Sequence, residues 1–282
     1  MAELPEITIL ARQMTDHLAG LRLSRLELGR PEPLDQSPAE LHRALVGRRL
    51  ERAAPLGKWL LLFFEPPGPN LLIHPGMGMD LLALEIEPEK PLQHRFLFGP
   101  ELGFGVRFWW MGRIGLARPG EEREAAGGLG PAPLGGGLTP TLLAELMERR
   151  KRSGIKAFLL NQKLVAGIGN FYVQDILFRT KAHPLTRIGE LSSVQRETLP
   201  GAIEATLGQA LDRGINHYEY DFWGQKGDWT WEAFLVGYKE GLPCPACGRA
   251  IQKIRACSSA SYICPACQPP DCPSPDIRSE VP

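Results

Sequence analysis

Apolar positions recur at helical spacing in several stretches. Ile7, Leu10, Met14 and Leu18 predict an amphipathic helix after a short extended start, Met1 to Glu6. Leu142 to Arg152 and Leu191 to Arg213 predict two more, with Pro200 expected to kink or split the second. Between Leu21 and about Arg118 the pattern changes. Short apolar runs such as WLLLFFEPPGPNLLIHPG and FGVRFWW are separated by Gly and Pro, which predicts strands packed as a sandwich. Further on, two apolar-periodic runs, Ile155 to Gln162 and Phe171 to Phe178, flank Ala166-Gly167-Ile168-Gly169-Asn170. This predicts two helices joined by a tight turn, with Asn170 capping the second and its free N–H groups suited to a phosphate oxygen. An ordinary helical hairpin with a solvated charged flank fits the same pattern.

Residues 121–140, EEREAAGGLGPAPLGGGLTP, carry no apolar period and read as a flexible linker. The expected organisation is an N-terminal domain over 1–120, the linker, a helical domain over 141–235, a finger over 236–268 and a disordered tail over 269–282. Cys244-x2-Cys247-x16-Cys264-x2-Cys267 has the spacing of two knuckles forming one tetrahedral thiolate site. One structural Zn2+ is expected there. Four thiolates leave no open position, so the ion organises a hairpin and does not activate water. Cys257 and Cys272 lie outside the spacing.

Composition adds little. Of 282 residues, 43% are hydrophobic and 23% charged, as in ordinary soluble proteins, and 32 basic residues balance 32 acidic ones. A nucleic-acid role therefore needs a segregated basic patch, and Arg149, Arg150, Lys151, Arg152 and Lys156 supply one. No run is long enough to span a membrane and the start lacks the signature of a signal peptide, so a cytoplasmic protein is expected; with no extra interface signal in the sequence, a monomer is expected too.

IKAFLLNQ, VAGIGN and Asn170-Phe171-Tyr172 resemble the helix-two-turn-helix signature of the formamidopyrimidine-DNA glycosylase and endonuclease VIII family. The resemblance implies an α+β fold: an N-terminal β-sandwich with flanking helices, a helix-two-turn-helix domain, and a C-terminal four-cysteine zinc-finger β-hairpin. Its implied partner is double-stranded damaged DNA, with Lys156 and Asn170 holding phosphates. Gly57-Lys58-Trp59 is similar to the family's Gly-Lys-Tyr hairpin, which implies a phosphate contact and a place in the catalytic set for Lys58. His74-Pro75-Gly76-Met77-Gly78 resembles a motif whose methionine, here Met77, fills the gap left by a swung-out base. Gly112-Arg113-Ile114-Gly115 stands where the family shows Arg-Arg-Phe-Gly, which implies pairing to the orphaned base for Arg113 and a smaller wedge in Ile114, with Trp109, Trp110 or Met111 able to share that work.

The sequence departs from the pattern at both ends. The family's catalytic N-terminal proline is replaced by Ala2, beside a retained Glu3. Once methionine is removed, the Ala2 amine would titrate at about pH 8 and can still form a Schiff base, with Glu3 managing protons. Five residues before Cys264, Ser259 replaces the finger arginine that clamps phosphate, and Arg249, Lys253 or Arg255 are the available substitutes. The aromatic segment HYEYDFWGQKGDWTW, 217–231, suits either stacking on a flipped base or internal packing. The implied function is a base-excision glycosylase for damaged, oxidised bases with AP-lyase activity through the N-terminal amine. The alternatives are a damaged-DNA binding protein that has lost catalysis and a glycosylase without the lyase step.

Overall fold

The computed structural model describes residues 2–29, 33–66 and 68–270. Met1 and most of the expected tail, including Cys272, lie outside the described residues. The chain forms two compact units. The first comprises Met1–Gly137, Gln162–Ile168 and Leu207–Thr230; the second comprises Leu138–Asn161, Gly169–Thr206 and Trp231–Pro282. The linear partition expected from the sequence thus becomes an interleaved one, and the finger belongs to the second unit.

In the first unit, helix α1 (Leu4–Leu18) starts at once, without the expected extended lead. Pro5 fits the first turn, where its missing N–H costs nothing, and Glu6 accepts the Glu3 N–H at 2.9 Å. Its apolar face, Ile7, Leu10, Ala11, Met14 and Leu18, is buried in the main core. There follow β1 (Arg25–Leu28), α2 (Pro38–Leu45), β2 (Leu50–Leu56), β3 (Trp59–Phe64), β4 (Asn70–His74), β5 (Met79–Ala83), β6 (His94–Leu97), β7 (Gly103–Phe108) and β8 (Arg113–Ala117). They make two antiparallel four-stranded sheets, ordered β1-β6-β7-β5 and β2-β3-β4-β8.

Strand β3 explains its own unbroken apolar run. Leu60, Leu62 and Phe64 face the core of the sandwich, while Trp59, Leu61 and Phe63 pack into a second cluster on the outer face with Leu72, Ala117 and Ala126. Ala126 follows a one-turn helix, α3 (Glu122–Ala125), inside the supposed linker. Glu122 accepts from the Asn70 amide at 2.7 Å, and the Gly130 N–H donates to the Gln162 carbonyl at 2.9 Å. The expectation of a free linker is corrected: its first half is tied to the sheet. A four-residue helix is too short to carry a period.

The second unit contains α4 (Pro140–Glu148), α5 (Ile155–Leu160), α6 (Val173–Arg179), the first part of α7 (Ser193–Asp212), and the hairpin β9 (Gln252–Ala256) and β10 (Ser259–Ile263). Helix α7 runs on through Pro200 instead of splitting there. The buried Asp175 carboxylate in α6 accepts the N–H groups of Leu235, Val236 and Gly237 at 2.7, 3.0 and 3.1 Å. Burial raises its pKa and these three donors oppose that shift. The loop leading to the finger is thereby fixed to the helix. No described helix is long and apolar enough to cross a membrane.

Candidate functional site

The start of α1 is held by a close approach that only glycines permit. The Leu4 N–H donates to the Gly167 carbonyl at 3.0 Å. A Cβ on Gly167 would stand 2.6 Å from that of Leu4, and its φ of 102° is outside the ordinary range of other residues. Gly57, at φ 60°, lies so near that a Cβ there would be 3.0 Å from Ala166. The first turn of α1, the 57–58 turn between β2 and β3, and the 166–167 segment therefore converge. Gln162 braces that segment, accepting from Gly167 N–H and donating to the Ile168 carbonyl, each at 2.8 Å.

Ala2, at 2% exposure, and Glu3 are buried at this convergence, and Lys58 is half-buried at the tip of the two-residue turn. Glu6 and Glu219 are further buried carboxyls of the same unit. Burial raises the Glu219 carboxyl above the ordinary range and the Glu6 charge adds to this. Glu219 lies within the aromatic segment, and no spacing there sets this carboxyl apart in the sequence. Glu6 could have been found, since it stands three residues after the helix-capping Glu3.

His74, at the end of β4, is a second omission. Burial, then the charges of Lys58 and Arg113, pull its pKa down to about 4. It is neutral at pH 7, and because Nδ1 accepts the Gly76 N–H at 3.0 Å, its proton sits on Nε2. Its ring lies 4.8 Å from that of Trp59, and the Arg113 guanidinium is 5.6 Å from the same indole. Lys58, His74 and Arg113 thus form one donor-rich cluster around Trp59. Arg113 is held by Asp35 through two bonds of 3.1 and 2.9 Å.

Met77 is 47% exposed on the β4–β5 turn. Ile114, expected as a small wedge, faces inward. It pairs with Ile73 in the sheet and is 0% exposed in the sandwich core. In strand β8 a residue next to an outward Arg113 must point inward, and the alternation Arg-Ile-Gly-Leu-Ala carries that signal.

In the second unit the expected roles also shift. Lys156 is 0% exposed, and its ammonium donates to Ser261 Oγ (2.7 Å), Ser259 Oγ (3.0 Å) and the carbonyls of Ala260 (3.0 Å) and Ala256 (3.3 Å). Burial pulls its pKa down to about 8. The expectation of an open phosphate contact at Lys156 is therefore corrected: it staples α5 to the finger hairpin. Nor does Asn170 cap α6, whose N-cap is Tyr172. Its Oδ1 accepts from Ser259 Oγ at 3.0 Å and from Gln174 Nε2 at 3.2 Å, which turns its NH2 away from both. Ser259, standing where an arginine was expected, links Lys156 to Asn170.

The four cysteines Cys244, Cys247, Cys264 and Cys267 place their sulfurs within 4.8 Å of one another. A zinc ion about 2.3 Å from each of four sulfurs sets them roughly 3.8 Å apart, so the cluster fits the ion. Gly248, at φ 73°, closes the first knuckle, with its N–H on the Cys244 carbonyl at 2.9 Å. Cys257 is exposed at the turn between β9 and β10.

The aromatic segment is mostly packing. Phe222 and Trp229 are fully buried, and Gln13 of α1 grips the segment through Asp221 Oδ2 (2.8 Å) and the Phe222 N–H (3.0 Å). Tyr218 and Trp231 keep exposed faces.

A sandwich with a buried glutamate at its N-terminus, a helix-two-turn-helix domain and a four-cysteine finger define a DNA-repair glycosylase architecture. The N-terminal domain of formamidopyrimidine-DNA glycosylase matches residues 1–109, the H2TH domain of the same enzyme 129–220, and the zinc finger found in FPG and IleRS 241–270. Formamidopyrimidine-DNA glycosylase of Chloroflexus aurantiacus is 35% identical over 95% of this chain and 98% of its own, and that of Symbiobacterium thermophilum 34% identical over 95% and 90%. Lactococcus lactis Fpg, solved with DNA containing N7-benzyl-Fapy-dG, superposes with a TM-score of 0.84 at 25% identity over 95% of this chain and 99% of that one. The same protein with abasic-site DNA gives 0.84 over 95% and 100%. The chain belongs to the formamidopyrimidine-DNA glycosylase family. It is a base-excision-repair DNA glycosylase for damaged bases with one structural zinc, and AP-lyase activity is a property of its family.

Proposed function

We propose that this chain, as a monomer, removes oxidised bases from double-stranded DNA with the α-amine of Ala2 as nucleophile, once Met1 has been cleaved. The amine nitrogen forms a bond to C1′ and loses a proton, the glycosidic bond breaks, and the base leaves with the bonding pair and takes up a proton; the C1′–O4′ bond then breaks, its pair goes to O4′, which is protonated, and the nitrogen lone pair closes the C1′–N double bond. The resulting imine, protonated, accepts electrons from C2′ as that carbon loses a proton and the 3′-phosphate departs. Glu3 moves protons in these steps.

The observation that carries this reading is the burial of Ala2 and Glu3 at the convergence of α1, the Lys58 turn and Gly167. Lys58, His74 and Arg113 are the donors that would hold the phosphates and bases around the reacting sugar, with Met77 occupying the vacated space. The Asn170 NH2, oriented by Ser259 and Gln174, would donate to a phosphate, and Lys156 acts behind it as a positioning residue.

The second reading, a binding protein without turnover, is favoured by Ala2 and Ser259 alone. Glu3→Gln separates the two: it should abolish base release while leaving affinity for a damaged duplex within about threefold, because the amide keeps the size of the carboxylate. Should wild-type protein bind tightly and release no base from any oxidised duplex, the binding reading holds instead.

A further inference from the structure

An ammonium cannot attack C1′ until it has shed a proton, and residues 217–231 bring a carboxylate toward the start of α1. This segment is no loose loop. Gln13 holds its Asp221 and Phe222, the Ala83 N–H of β5 donates to the Phe222 carbonyl at 2.8 Å, and the Tyr220 hydroxyl donates to Glu89 Oε1 at 2.7 Å. Its two ends are drawn together. The His217 N–H donates to the Trp229 carbonyl at 3.1 Å, and a Cβ on Gly227 would fall 1.9 Å from the Ile215 carbonyl oxygen.

Within that frame Glu219 is 2% exposed, with its N–H on the Asn216 carbonyl at 3.1 Å. A carboxylate so buried is costly unless positive charge meets it. Charged groups reach it from α1 (Glu6 and the chain's terminal amine) and from β5 (Asp80), and its own segment adds Asp221. The other carboxylates are committed to the fold. Glu6 accepts the Glu3 N–H, Asp80 accepts from Arg107 Nε at 2.8 Å and Trp109 Nε1 at 3.0 Å, and Asp221 accepts from Gln13 and from the N–H groups of Trp223 and Gln225. The terminal amine bears on Glu219 by its charge and by a hydrogen bond. Removal of Met1 shifts that amine by one residue, a step of about 3.8 Å, to Ala2, which is itself 2% exposed in the main core.

We propose that Glu219 is the base that takes the proton from the Ala2 ammonium and so arms the nucleophile. The proposal rests on the Ala2 reading and deepens it. An N–H bond breaks, its pair stays on nitrogen as the lone pair that attacks C1′, and the proton goes to a carboxylate oxygen of Glu219. When water later frees the amine from its imine, the neutral nitrogen takes that proton back, and Glu219 ends the cycle as it began. Glu3 keeps the other transfers. Burial raises the Glu219 pKa, the terminal amine opposes this, and the charges of Glu6 and Asp80 add to it. A carboxylate tuned upward is a stronger base than an exposed one. Because the proton stays within the pair, neutral amine forms at a pH where a lone amine would hold its proton.

The test uses full-length protein verified by mass to start at Ala2, as wild type, Glu219→Gln and Glu219→Asp. The rate of cyanoborohydride trapping on an abasic duplex is followed from about pH 5 to about pH 9. The wild-type rate should stay nearly level down to the lower apparent pKa of the pair. In Glu219→Gln the acid limb should move up by about one pH unit or more, to that of a lone amine, with trapping roughly a hundredfold slower at about pH 6 and within about threefold of wild type at about pH 9. Affinity for a duplex carrying a tetrahydrofuran abasic analogue should stay within about threefold, because the amide keeps the size of the carboxylate. Glu219→Asp, which retains the charge, should keep the wild-type limb. An unchanged profile in Glu219→Gln would overturn the proposal, and so would an equal loss at every pH, which marks a structural part only. Either result alongside a wild-type adduct on Ala2 leaves the Ala2 reading standing, whereas no wild-type adduct on Ala2 overturns both.

Discussion

The 57–58 turn of the first unit and the finger hairpin of the second each involve a lysine that the sequence marks for phosphate, and the two are built in opposite ways. Lys58 stands half-buried at a turn tip beside His74 and Arg113; burial first, and then the two positive charges, lower the His74 pKa, and an anion would relieve that crowding of charge. Lys156 is enclosed, with two hydroxyls and two carbonyls around its ammonium. The first is poised to bind; the second has spent its donors on the fold. What a cation does follows from the acceptors its backbone already provides, and a motif does not display those.

That contrast can be broken by substitution. The largest effect should come from the metal: Cys264→Ser, or chelation of zinc, removes the scaffold of β9 and β10 and releases the hairpin that Lys156 grips. Binding to an abasic duplex should fall more than a hundredfold together with loss of stoichiometric zinc, and retained binding by zinc-free protein would show that the finger is dispensable. Next, Lys156→Met should destabilise the protein by about 3 kcal/mol, since it strands several buried acceptors. Lys58→Met should leave the melting temperature unchanged, weaken DNA binding about tenfold and lower the salt slope by about one contact. Equal melting temperatures for the two variants would erase the distinction.

The smallest effect concerns His74. Its pKa in the folded chain, about 4, is depressed below the ordinary 6.5, so its contribution to stability is present above pH 6.5 and is lost as pH falls toward 4. His74→Gln should flatten the stability profile across that window, and NMR should find the His74 ring neutral at pH 5.5. A ring already protonated there would contradict its burial and the positive charges beside it.

Much of this architecture was legible in the chain. The four-cysteine spacing, the Ile7–Leu18 stripe and the apolar runs separated by Gly and Pro each report a local constraint, and local constraints are written in sequence. Burial of Ile114 was legible too, in the alternation of β8. The enclosure of Lys156 was not, because its acceptors lie about a hundred residues away on β9 and β10. Nor was the early linker, whose single helical turn is fixed by a distant Asn70. The interleaving of residues 162–168 and 207–230 into the first unit depends on tertiary contacts such as Leu4 to Gly167 and Gln13 to Asp221, which no period announces.

The central claim is that an alanine amine performs the family's covalent chemistry. Borohydride trapping on an abasic duplex, using protein whose start has been verified by mass as Ala2, tests it most directly. The account predicts one covalent protein–DNA adduct that peptide mapping places on the Ala2 α-nitrogen and that acetylation of that amine eliminates. Base release from an oxidised duplex with no trapped adduct, or an adduct on a lysine, would contradict it.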